Sequence, residues 1–143
     1  MTKFSAFAGL ALAAGLAVAP AAQAQTGMSG VEGVWRNPKN SVHVNIKPCG
    51  PKLCGYVIWA NADAQADARE GGTDNLIGLQ LLRDFGPEKP GVWKGKVFVP
   101  DLRATFAGRA ELVDANTLKA RGCLLAGVLC KTQTWRRIGT AAD

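Results

Sequence analysis

Along most of this chain hydrophobic and polar residues alternate with a period of two. The clearest run is residues 41–48, where Val42, Val44 and Ile46 face one way and His43, Asn45 and Lys47 the other. Such alternation predicts a half-buried antiparallel strand with His43 on its solvent side. Strand-like runs also occupy residues 31–36, 53–60, 76–85, 92–99, 104–113, 117–125 and 128–138. Turn signals separate them: Asn37-Pro38-Lys39-Asn40, Gly50-Pro51, the run from Gly86 to Gly91, Pro100-Asp101 and Asp114-Ala115-Asn116. About eight strands joined mostly by short turns predict an all-β fold, either a sandwich or a single antiparallel up-and-down β-barrel. Residues 53–60 are apolar on both sides, with Tyr56 and Ile58 opposed to Val57 and Trp59. That strand is expected to be covered on both faces or to line a cavity.

One polar stretch interrupts the pattern. Residues 61–75, NADAQADAREGGTDN, allow a short helix up to Glu70 that Gly71-Gly72 would end. Asp63, Asp67, Glu70 and Asp74 lack the alternating ligands and central glycine of a calcium loop, so the stretch reads as a solvated linker or lid.

The last run helps to choose between sandwich and barrel. Trp135 shares a face with Lys131, Gln133 and Arg137, while Thr132, Thr134 and Ile138 share the other. If Trp135 points inward, polar groups point in with it. A packed sandwich tolerates this poorly, because buried polar groups need partners. A barrel with a small hydrated lumen, or with an arginine closing one end over a tryptophan ring, accommodates it. The opposite phase, with Trp135 outside, stays open at this point.

The first 24 residues read differently. Lys3 is followed by an apolar run from Phe7 to Val18 and by Ala22-Gln23-Ala24, the small residues a signal peptidase reads, which predicts cleavage after Ala24. The apolar run is short of the roughly 20 residues that span a bilayer, and no cysteine follows it for a lipid anchor, so no stable membrane anchor is expected. Export to the periplasm or the medium follows as the expected localisation, with residues 25–143 as one domain. Of the formal charge of +6, removal of Lys3 leaves +5, scattered over the sequence rather than clustered. A scattered excess favours a solvated surface over nucleic-acid binding and leaves room for attraction to anionic envelope components.

Export gives the four cysteines a meaning. They form two close pairs, Cys49 with Cys54 and Cys123 with Cys130, each bracketing a turn signal, and in an oxidising compartment these are expected as two local disulfides. Zinc binding would need Cys-x-x-Cys spacing or histidines beyond the single His43, so no metal or other cofactor is expected.

Gly33-x-Trp35 near the start, with Trp135 and Arg137 near the end, resembles the signature of lipocalin-like (calycin) barrels, in which the arginine packs across the tryptophan at the closed end. A wider set also resembles a family of small exported bacterial proteins classed as a domain of unknown function. It comprises Gly33-Val34-Trp35-Arg36, Cys49-Gly50 with Cys54-Gly55, Gly78-Leu79, Trp93-Lys94-Gly95, Leu118-Lys119-x-Arg121-Gly122-Cys123 and Thr132-Gln133-Thr134-Trp135. This resemblance implies a lipocalin-like barrel closed by Trp35 and Arg137, and no established activity. The chain departs from the family pattern after Pro100, where Leu102, Arg103 and Phe106 stand in place of a glycine and a tyrosine.

For enzymatic work the chain offers no nucleophile with a base, no phosphate loop and no metal-binding helix motif, and it reads as a non-enzyme. An eight-stranded barrel is just wide enough to be filled by side chains or to hold one small ligand. The leading reading is a barrel that binds a small hydrophobic or amphipathic ligand. Its candidate lining is Val44, Ile46, Tyr56, Ile58, Leu81, Trp93, Val97 and Trp135, with Arg137 as an anchor for a carboxylate. The alternative is a filled barrel acting through envelope or protein contacts at its surface, in which those residues are ordinary core and Arg137 only caps Trp35.

Overall fold

The computed structural model describes residues 30–125 and 128–142; the expected signal peptide lies outside them. Eight antiparallel strands close into a barrel in sequence order. They are β1 (Gly33–Arg36), β2 (Val42–Cys49), β3 (Lys52–Ala60), β4 (Gln80–Lys89), β5 (Val92–Val99), β6 (Ala104–Asp114), β7 (Thr117–Leu125) and β8 (Val128–Gly139). A helix, α1 (Ala62–Glu70), links β3 to β4, and a 3-10 turn, Pro100–Leu102, links β5 to β6. The barrel, not the sandwich, is therefore the fold, and the helix lies where the polar stretch predicted it. Asn61 caps α1 by accepting the Ala64 amide at 2.8 Å.

The strands expose one side and bury the other, as their alternation requires. Trp35, Val44, Ile46, Leu53, Val57, Phe85, Trp93 and Leu118 are among the buried residues of one continuous core. Among the described residues every buried side-chain nitrogen or oxygen has a hydrogen-bond partner. Asn45 shows how. It sits on the polar face of β2, yet the C-terminal tail covers it: Asn45 Nδ2 donates to the Ala142 carbonyl at 2.7 Å and Oδ1 accepts the Ala142 amide at 3.0 Å.

Bulges shift the inner phase in two places that alternation alone misses. In β3 the register slips so that His43 faces Trp59 while Val44 faces Val57, which leaves Ile58 as an extra residue. Ile58 and Trp59 are each 42% exposed, so the outer side of β3 is open to solvent, where the apolar run predicts both faces covered or one lining a cavity. In β4, Leu82 and Phe85 both serve the interior despite their odd spacing. The extra residue lies between them, where the register shifts and Asp84 adopts a left-handed φ of 55°.

One end of the barrel is closed by β1 and β8. Trp35 is fully buried, and its indole donates to the Val31 carbonyl at 2.8 Å. The Arg137 guanidinium lies 4.3 Å from the Trp35 ring and donates to the carbonyls of Ala115 (2.7 Å), Glu32 (2.5 Å) and Gly30. Gly33 makes room for this. A Cβ there would stand 2.4 Å from an Arg137 nitrogen, and its φ of 145° is one that side-chain-bearing residues rarely adopt. The Gly-x-Trp…Arg pattern is thus one physical unit: a backbone gap, a ring and the cation that fills the space between them.

Replacing Arg137 with Ala should lower the unfolding free energy by about 3 kcal/mol, from the lost ring contact and three carbonyl hydrogen bonds. Arg137→Lys should recover less than half of that, because a point-like ammonium cannot reach three carbonyls at once. Urea denaturation followed by tryptophan fluorescence measures both.

Candidate functional site

At the opposite end of the barrel the chain leaves a mouth. The β1–β2 turn, α1 and the 3-10 turn surround it, and the ends of β7 and β8 rise beside it. The β1–β2 turn is fixed by Asn37, whose Oδ1 accepts the amides of Ser41 and Val42 at 2.8 and 3.0 Å. Gly71, at the end of α1, packs against the 3-10 turn so closely that a Cβ would stand 2.1 Å from the Asp101 carbonyl oxygen. Thr73 Oγ1 adds a hydrogen bond to the Pro100 carbonyl at 3.0 Å. The helix is thereby held across part of the opening.

Inside lies an apolar cavity of about 340 Å³. Its walls include Trp35, Ile46, Leu82, Phe85, Leu118 and Trp135. It continues into a wider, more polar mouth of about 950 Å³, and Leu81, Asp101, Lys131 and Gln133 line both spaces. The mouth reaches between the β1–β2 turn and β8, touching Lys39 on one side and Thr132 and Thr134 on the other. This opening follows from strand length. β1 has 4 residues and β8 has 12, and their ladder covers only the stretch from Arg36 with Arg136 to Val34 with Gly139.

Of the residues that the sequence proposed as lining, Val44, Ile46, Leu81, Val97 and Trp135 reach the inner cavity together. Trp135 takes the inward phase, half-buried, with its indole donating to Gln133 Oε1 at 3.2 Å. Four proposed residues lie elsewhere. Tyr56 faces outward, where Lys47 Nζ stands 5.5 Å from its ring centre. Ile58 occupies the β3 bulge on the outside. Trp93, 2% exposed, belongs to the packed core beside the β4–β5 turn rather than to the cavity wall. Arg137 is spent on Trp35 at the closed end; Lys131 lines both the cavity and the mouth, while Lys39 touches the mouth alone and Arg109 and Arg121 the cavity alone. Sequence reasoning missed Leu82, which the irregular β4 register hides, and also Phe85, Leu118 and Ala120, which alternation on β4 and β7 would have marked.

His43 lies outside the barrel, half-buried. Its ring stacks on Trp59 with centroids 4.4 Å apart, and Nε2 donates to Asn40 Oδ1 at 2.7 Å. It therefore lies away from the cavity. Both cysteine pairs are joined, Cys49 with Cys54 at the closed end and Cys123 with Cys130 near the mouth, which points to an oxidising periplasmic or extracellular environment.

Residues 33–137 match the family described as "Uncharacterized protein conserved in bacteria (DUF2147)". The chain belongs to that family. Among solved structures, this DUF2147 protein is similar to protein HP1028 of Helicobacter pylori, described as belonging to the lipocalin family. The two are 18% identical, the match covers 75% of this chain and 82% of that one, and the TM-score is 0.60. At that identity the likeness shows the fold, a lipocalin-like barrel. No curated protein matches the chain.

The chain's one histidine makes a pH prediction. Burial, and then the positive charge of Arg36, lower the His43 pKa below its ordinary 6.5. The unfolded chain therefore takes up this proton first as pH falls, and stability present above pH 6.5 declines through the range below it. Urea midpoints measured between pH 7 and pH 5 should fall, and His43→Gln should flatten the slope over that interval.

Proposed function

We propose that this DUF2147 protein is exported, with residues 1–24 removed as a signal peptide, and that its barrel domain, residues 25–143, binds a small amphipathic ligand without catalysing a reaction. The observation that carries this reading is the apolar cavity of about 340 Å³ opening onto a polar rim. A core filled by its own side chains leaves few voids larger than a water molecule, whereas this volume falls at the lower end of ligand pockets, roughly 300–1,000 Å³. The apolar body of the ligand would lie against Trp35, Phe85, Val97 and Trp135. Its head would sit at the rim, where Lys131 attracts a carboxylate and Gln133 offers an amide donor. Asp101, on the same rim, would accept a hydrogen bond from a hydroxyl group or an amine. The anchor is thus Lys131 in place of Arg137.

Native mass spectrometry of the protein recovered from an exporting host tests this. The expected result is a chain beginning at Gln25, four hydrogens lighter than its reduced form, carrying a mass excess that denaturation removes or taking up added medium-chain fatty acid with a change in tryptophan fluorescence. Ala120→Phe, which places a ring in the lumen, should abolish uptake while the denaturation midpoint stays near that of the parent protein. Lys131→Gln should weaken uptake of a fatty acid by roughly tenfold and leave uptake of the matching alcohol unchanged. Failure of every lipid, fatty acid and alcohol to bind would support a barrel acting through its surface alone.

A further inference from the structure

The tip of the β7–β8 hairpin carries a cluster of apolar side chains that the barrel does not use. Leu124, Leu125, Val128 and Leu129 are 51, 62, 55 and 67% exposed. The ladder between β6 and β7 ends at Ala107 with Cys123, whereas β7 and β8 continue to pair with each other as far as Leu125 with Val128. The tip therefore separates from β6, which continues beside β5 as far as Ala104 with Val99, and stands off the wall as a two-stranded finger whose base the Cys123–Cys130 disulfide clamps. Below the apolar residues stand two exposed cations, Arg121 on β7 and Lys131 on β8. Leu102, 61% exposed, and Arg103 belong to the same end of the molecule.

Two features decide what could cover such a tip. A stable protein interface takes roughly 20–30 residues from each side, and four aliphatic side chains on a convex finger fall far short of that. A bilayer surface has no such requirement. Apolar side chains enter the boundary between headgroups and acyl chains, and cations just behind them meet the phosphates. Pairing between β7 and β8 satisfies the backbone groups that face each other across the finger, and those on its outer edges meet water and headgroups in the hydrated boundary layer. Asp63 and Asp67 on α1 and Asp101 in the 3-10 turn line the mouth and do not belong to the finger.

We propose that the β7–β8 tip docks the protein reversibly on an anionic phospholipid surface, with Leu124, Leu125, Val128 and Leu129 inserted and Arg121 and Lys131 against the headgroups. The apolar contacts of this docking are independent of what the lumen holds, whereas Arg121 and Lys131 also line the cavity. Docking brings the mouth, whose wall includes Lys131, beside the bilayer.

The test is flotation of the disulfide-bonded protein with vesicles of phosphatidylethanolamine and phosphatidylglycerol, compared with phosphatidylcholine alone. Binding is expected on the first and weak or absent on the second, and it should fall as salt rises. Leu125→Ser with Leu129→Ser should reduce the partition coefficient roughly a hundredfold, about tenfold per leucine. Arg121→Gln should reduce it about fivefold at low salt. Val113→Ser with Ile138→Ser, which removes exposed apolar residues at the other end, should change nothing. Near-ultraviolet circular dichroism establishes that each variant keeps its packing. The proposal is overturned if the parent protein fails to float with anionic vesicles, if it binds both vesicle types equally, or if the leucine pair leaves binding intact. It is equally overturned if sedimentation velocity shows a dimer that the leucine pair dissolves, since the tip would then be a contact between copies.

Discussion

The closed end of this barrel depends on one contact, the Arg137 guanidinium against the face of Trp35. The contact joins the first strand to the last, and a barrel exists only if those two strands meet. β1 is too short to secure β8 through its ladder alone. Its four residues meet β8 in a register that already slips between Val34 and Trp35. The guanidinium compensates by bonding to carbonyls on both sides of the seam, Gly30 and Glu32 before β1 and Ala115 in the β6–β7 turn. A cation held between an aromatic face and several carbonyls is well satisfied even where water is scarce.

From that constraint the two ends acquire different characters. The seam is zipped at the closed end, where Trp35 fills the interior, and it parts toward the mouth, where β8 runs on beyond β1. The shortness of β1 thus leaves the mouth open beside Lys131 and Gln133. α1, pressed against the 3-10 turn through Gly71, narrows that opening from the other side. The long hairpin that remains carries an apolar tip away from β6, with its base fixed by a disulfide. Shape, opening and exposed tip are consequences of unequal strand lengths rather than separate inventions.

The lumen is apolar below and polar above for a similar reason. Each strand contributes every second residue, so the chemistry at a given height depends on what eight strands present in register. At the level of Phe85 and Leu118 these residues are aliphatic and aromatic. At the level of Lys131, Gln133 and Asp101 they are polar, and water or a polar group can meet them there. The inward face of β8 carries this gradient in its own sequence, since tryptophan, glutamine and lysine on one face fit a lumen with a wet end.

Much of this was legible without coordinates. Alternation and turn residues marked the eight strands, the polar stretch marked the helix, and the cysteine spacing marked both local pairs, because each of these depends on neighbours within about ten residues. The Gly-x-Trp and Trp-x-Arg segments marked the seam through their resemblance to lipocalin-like barrels. The lining of the cavity was only half legible. Val44, Ile46, Leu81, Val97 and Trp135 keep the simple alternation and were found. Tyr56 and Ile58 alternate as well, but theirs is the outer face, and in β4 a bulge brings both Leu82 and Phe85 to the interior; a bulge is set by the fit between two strands rather than by either sequence. The roles of Arg137 and Lys131 were decided in the same way: both share the inward face of β8, and only the closed barrel determines which of them meets Trp35 and which stands at the mouth.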